Sequence, residues 1–151
     1  MRRLASDCGV SQDRIVSHRP AAPDALVRLS AEYDIGLALD PAASENNDIA
    51  LSNKMFAYLL AGNAVLATRT KGQSWLAQRL GPAVKLCEPG RPESWAAALR
   101  PWVEDAAVLD RALAYAWYMG ETRFNWEMEK PVFLDVVAKA LAGASANRAA
   151  S

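Results

Sequence analysis

Four short strand-like runs punctuate residues 14–87, one β-branched at its centre, 14–18 (RIVSH), and three more apolar, 35–39 (IGLAL), 64–68 (AVLAT) and 84–87 (VKLC). Between them the apolar residues recur at helical spacing: Leu26, Leu29 and Tyr33 in one segment, Met55, Phe56, Leu59 and Leu60 in the next. Strand and helix in strict alternation is the pattern of a parallel sheet with crossover helices. The run IGLAL has no polar alternation, which fits a strand buried on both faces. The expected fold is therefore α/β, with a parallel sheet of about four strands and helices on both faces. Gly62 ends the second helix, where a left-handed residue is needed. Residues 93–103 and 106–119 read as Ala- and Trp-rich helices, with a break near Pro101 or Asp105, and residues 131–141 as a final amphipathic helix. Residues 1–142 read as one domain by length, and the small, polar residues 143–151 as a disordered tail.

In a parallel sheet ligands bind beyond the carboxyl ends of the strands, in the loops that enter the helices. The two polar segments 44–54 and 69–73 follow consecutive strands, so both belong on one rim. Residues 41–51 lack periodicity and read as a long loop. The start of the helix at Ser52-Asn53-Lys54 offers free backbone amides, a positive dipole end and an ammonium group, a combination suited to phosphate. The segment Arg69-Thr70-Lys71-Gly72 offers more positive charge and, at Gly72, close backbone approach. His18, at the end of the first expected strand, falls on the same rim. Asp40 and Glu45 are carboxylates in one loop, a spacing that fixes no acid–base geometry. A bland alternative stands beside each: a capped surface helix, a polar turn, a structural histidine.

Composition narrows the classes further. Lysine plus arginine and aspartate plus glutamate balance at 17 each, which disfavours a nucleic-acid surface. No apolar run reaches a membrane-spanning length, and the start MRRLASDCGVSQD has no apolar core of a secretory signal. Cys8 and Cys87 stand far apart, so a reducing, cytoplasmic setting without disulfides is expected. With one histidine, neither a zinc site nor a Ser-His-Asp hydrolase is supported, and no metal or cofactor is expected.

The sequence Ser52-Asn53-Lys54-Met55-Phe56, then Tyr58, Ala61-Gly62 and residues 64–68, resembles the S-x-K-L-F-E-Y-x-A-x-G-x-P-V-V-A-T signature of family 4-type glycosyltransferases of the GT-B fold. The flanks agree. Asp34-Ile35-Gly36-Leu37 and Asp13-Arg14-Ile15-Val16 resemble the two preceding strands, Gly72 a glycine loop, and residues 123–127 (RFNWE) the segment before the last helix. The resemblance implies a partial Rossmann-like, donor-binding GT-B domain that grips a nucleotide-diphosphate sugar. Its expected donor contacts are Ser52, Asn53, Lys54, Ala57 and Gly72, with His18 and Glu45 added from the rim. No catalytic residue is expected in this half. The acceptor domain, and any peripheral membrane association through it, would belong to a part the resemblance does not cover.

Two departures qualify the resemblance. The family's first two strands and its basic diphosphate-gripping pair have no counterpart ahead of Arg14, so an apolar sheet edge and self-association are expected. The family's ribose-binding glutamate aligns with Ala57, and an upstream acid with Ile49. Alanine accepts no hydrogen bond, and losing such a partner costs about 1–3 kcal/mol. Either Glu45, Asn46 or Asn47 substitutes, or the pocket has changed or lost its ligand. Two further readings follow: a GT-B-like module without turnover, and a receiver-like doubly wound domain, which lacks its acidic pair.

Overall fold

The computed structural model describes residues 2–149. In chain order the elements are α1 (Arg2–Asp7), a 3-10 turn (Gln12–Arg14), α2 (Pro23–Ser30), β1 (Ile35–Ala38), α3 (Glu45–Ile49), α4 (Asn53–Ala61) and β2 (Ala64–Thr68). Next come α5 (Lys71–Leu80), a 3-10 turn (Gly81–Ala83), β3 (Val84–Cys87), α6 (Pro92–Glu104), α7 (Ala106–Thr122) and α8 (Trp126–Ala149). The sheet is parallel throughout, in the order β1-β2-β3, with Leu37 opposite Leu66 and Leu66 opposite Lys85.

The α/β class is as expected, but the sheet has three strands rather than four. Residues 14–18 join no ladder. Arg14 closes the 3-10 turn, Val16 is 65% exposed, and the segment is tied to the body where His18 Nε2 meets the Tyr33 hydroxyl at 2.9 Å. β-Branched residues favour a strand only where an edge and a buried face receive them. Here no neighbouring edge pairs with them, and Pro20 and Pro23 remove donors just downstream. The expected loop at 41–51 also contains a short helix, α3, whose cap is Ser44 Oγ accepting from the Asn47 amide at 3.2 Å.

Strand β2 is buried at every residue, and each face carries its own core. On one face Met55 and Leu59 from α4 and Leu76 and Leu80 from α5 cover Ala38, Val65 and Ala67. On the other, Trp102 of α6 and Ala112 of α7 cover Ala64, Leu66 and Cys87. Helix α7 supplies both cores, because Ala116 and Met119 reach the first. Helices thus lie on both faces, as the buried apolar runs require. Gly62 caps α4 with φ of 78°, as its sequence position predicts.

The helical boundaries follow local caps. The break after α6 falls at Asp105, not Pro101, because the Asp105 carboxylate accepts from the Ala107 and Val108 amides at 2.9 and 3.2 Å. Asn125 Oδ1 accepts from the Met128 amide at 2.9 Å, which starts α8 earlier than Pro131. Helix α8 includes residues 143–149.

Gly120 is where α7 crosses α4. A Cβ there would lie 2.6 Å from the Leu59 carbonyl oxygen, so only glycine permits this backbone approach. Gly120→Ala is expected to destabilise the fold by about 1–3 kcal/mol. Gly143, in α8, has nothing within 4 Å of its would-be Cβ. Gly143→Ala is expected to leave stability unchanged or raise it by up to about 1 kcal/mol. Chemical unfolding of both variants checks the contrast in sign.

Candidate functional site

The carboxyl ends of β1 and β2 meet the starts of α4 and α5. A crevice of about 200 Å³ opens there between Asp40, Pro41, Asn47, Ala50 and Ser52. Asp40, the second residue past β1, is its central charge. Lys54 Nζ donates to Asp40 Oδ1 at 2.5 Å, and Gln73 Nε2 donates to Asp40 Oδ2 at 2.9 Å. Gln73 is almost fully buried, and its Oε1 lies 3.0 Å from the Thr68 hydroxyl. That hydroxyl also lies 2.7 Å from the Asp40 carbonyl oxygen, so one proton serves two acceptors. The last residue of β2, the start of α5, the strand end of β1 and the start of α4 are thereby joined through Asp40, by its carboxylate to Lys54 and Gln73 and by its carbonyl to Thr68.

Burial pushes the Asp40 carboxyl up, but donation from Lys54, Ser52 and Gln73 and the Lys54 charge outweigh that and hold it below its ordinary value. A second pair closes the rim. Asp48, in α3, accepts from the Lys71 amide at 3.0 Å and pairs with Lys71 Nζ at 2.8 Å. These contacts lower the Asp48 carboxyl and raise the Lys71 ammonium. A carboxylate on the first amide of α5 is an anion held at a helix start, supplied from within the chain. Arg69 is likewise paired, its Nε 2.8 Å from Glu88 Oε1.

Of the residues singled out from sequence, Ser52 borders the crevice, and Asn53 and Lys54 open α4 beside it. Ser52 does not cap its own helix. Its side chain donates toward Asp40 instead. Ala57 lies partly buried on α4, one turn further along. Glu45 is exposed in the first turn of α3. Gly72 is buried and does make a close approach, but to the chain itself: a Cβ there would lie 2.5 Å from both the Ile49 and Ala50 carbonyl oxygens. It lets the 41–51 segment pack against α5. His18 is not on this rim. With no strand at 14–18 to carry it there, it lines a separate hollow of about 470 Å³ beside β1, with Tyr33, Tyr58 and Asn63.

The two polar segments do share a rim, as their positions after consecutive strands imply. Sequence reasoning passed over Gln73 and Thr68, and treated Asp40 as an ordinary loop residue. For Asp40 a signal was present: a carboxylate placed directly after a buried parallel strand points into the ligand-binding end of the sheet. Gln73 carried none, since a helix's first turn is usually solvated.

Comparison with protein families, characterised proteins and solved structures returns no match for this chain. Among the described residues, no helix is long and apolar enough to cross a membrane.

The depressed Asp40 carboxyl fixes the sign of one pH dependence. Its contribution to stability is fully present above the unfolded-state value, about 3.9, and is lost as pH falls through the lower folded value. Asp40→Asn is expected to cost roughly 1 kcal/mol at neutral pH and to flatten the loss of stability below about pH 4. Unfolding midpoints of both proteins across the acid range check this.

Proposed function

We propose that this chain is the donor side of a nucleotide-sugar-dependent glycosyltransferase, a partial Rossmann-like domain that holds the diphosphate of the donor. The observation that carries the reading is the start of α4. Its capping position is filled by a serine whose side chain does not cap the helix, Ser52 borders a crevice at the carboxyl ends of parallel strands, and Lys54 stands two residues on, paired with the crevice residue Asp40. The residues in that place are those of the signature the sequence resembles.

The size of the crevice sets what it takes. About 200 Å³ is below the 300–1,000 Å³ of whole-ligand pockets, so it suits a diphosphate with the nucleoside and sugar lying across its mouth. The electrostatics set how. Lys54 already neutralises Asp40, so an incoming diphosphate competes with that carboxylate for the ammonium. Once Lys54 turns to the phosphate, the α4 amides and this cation face the charge that builds on a departing nucleoside diphosphate. No side chain here acts as nucleophile or base; this half stabilises the leaving group.

A second reading has its own support. The Lys54–Asp40 and Lys71–Asp48 pairs leave the rim electrically balanced, and Ala57 offers no ribose acceptor. A module of the same ancestry without turnover fits those two facts.

Calorimetric titration with UDP, GDP and their sugar conjugates tests the first reading. Saturable binding is expected, weakened about tenfold by Lys54→Ala and strengthened by Asp40→Asn, which frees the ammonium. Absence of saturable binding for all of these ligands removes the donor-site claim. Ala57→Glu separates the two readings: a gain in affinity marks a donor pocket lacking its ribose contact, and no change favours the module.

A further inference from the structure

Helix α8 leaves the body after its first turn and carries its apolar residues in the open. Eight large apolar side chains between Trp126 and Leu141 are 36–65% exposed. Spread round the helix, they offer on the order of 800 Å² of apolar surface. Apolar exposure of that extent is unusual on a monomer. At 100° per residue, Trp126, Phe133, Leu134, Val137 and Leu141 fall on one side of the helix with Lys130 among them and hold roughly 550 Å² of that surface, while Met128, Val132 and Val136 lie on the other side. The Trp126 and Phe133 rings meet at 6.1 Å along this seam. At its root the seam runs into an apolar groove of about 450 Å³ between Leu51, Phe56, Trp75 and Phe124.

We infer that this seam is the interface of a two-fold homodimer, with α8 of one copy packed on α8 of a second. Three observations favour a second copy as occupant. The seam's own area, roughly 550 Å², comes near the ~600 Å² a side of the smaller specific interfaces. A single apolar helix seam is self-complementary across a two-fold axis. The charges on the helix balance, three acidic residues (Glu127, Glu129, Asp135) against three basic ones (Lys130, Lys139, Arg148), and Asp135 and Lys139 already pair at 2.6 Å, so an identical copy is not repelled. A lipid surface is less well matched: the helix has no basic polar face. This inference does not depend on the nucleotide site.

Sedimentation velocity of the full chain, from low micromolar to several hundred micromolar, tests it. The mass is expected to rise from that of one chain, 16.4 kDa, toward two. Phe133→Glu and Val137→Glu are expected to weaken dimerisation at least tenfold while leaving the circular-dichroism spectrum and unfolding midpoint unchanged, because both side chains lie off the body. Val132→Glu, on the far side of the helix, is expected to leave the dimer within about twofold of the parent. A single monomeric species over the whole range overturns the inference. So does dimerisation that the seam variants do not alter, and so does a monomer that pellets with phosphatidylcholine vesicles, which would make lipid the occupant.

Discussion

Strand β2 has no exposed residue, and most of the molecule follows from that burial. A strand covered on both faces must be flanked by other strands and roofed by helices above and below. Its polar ends must find partners inside the protein, since water does not reach them. At the amino end Asn63 does this with its amide group, its Nδ2 donating to the Ser30 carbonyl at the end of α2 and to the Tyr33 carbonyl just beyond it, while its buried Oδ1 finds no partner among the described residues. At the carboxyl end Thr68 does it, reaching Asp40 and Gln73. The strand is thus pinned at both ends by side chains that also fix where its neighbours start. The rim acquires its shape from a requirement of the core.

That origin explains why the rim is electrically quiet. Asp40 and Asp48 each bind a lysine, and each also receives a hydrogen bond at the start of α5: Asp40 from the Gln73 side chain, Asp48 from the Lys71 amide. A protein that binds anions strongly leaves such donors unpaired. This one fills them with its own carboxylates, which act as stand-ins for a ligand's negative charge. An exposed ion pair is worth at most about 1 kcal/mol. Under the proposed function, a diphosphate bearing two or more charges would displace one at little cost. Balance in the empty state is compatible with a phosphate site, though it limits the affinity.

The sequence was most legible where burial dictated composition. IGLAL, AVLAT and VKLC are strands within a residue of their expected bounds, and Gly62 caps where its position says it must. Residues 14–18 have the composition of a strand and lack a partner. A single strand is not a stable unit, and whether an edge waits for it is a tertiary fact. The same holds for Gly72 and His18. Close approach at Gly72 was readable from the absence of a side chain, but not that the Ile49 and Ala50 carbonyls would be what approaches. His18 was placed by a strand that does not form. Gln73 was invisible because nothing local distinguishes a buried glutamine from a solvated one.

The uncovered surfaces of the molecule differ in kind, and the difference decides where association falls. Asp34 O accepts from Ala64 N at 3.0 Å, so by strand alternation the peptide groups of Ile35 and Leu37 face the outer edge of β1. An open edge of this sort invites pairing. It is blunted here in several ways. The strand has four residues, the Tyr58 ring lies against Gly36, and the Tyr58 hydroxyl stands 3.4 Å from the Leu37 carbonyl. The His18–Tyr33 contact holds residues 16–18 beside it. Helix α8 has no comparable cover. Its backbone is satisfied by its own hydrogen bonds, so what it leaves uncovered is side chain, charged residues such as Asp135 and Lys139 together with a large share of apolar surface whose burial would favour association. The expectation that this chain self-associates therefore stands on the helix, where hydrophobic burial is large, and not on the short sheet edge, where hydrogen bonds would have to be exchanged with water for small net gain.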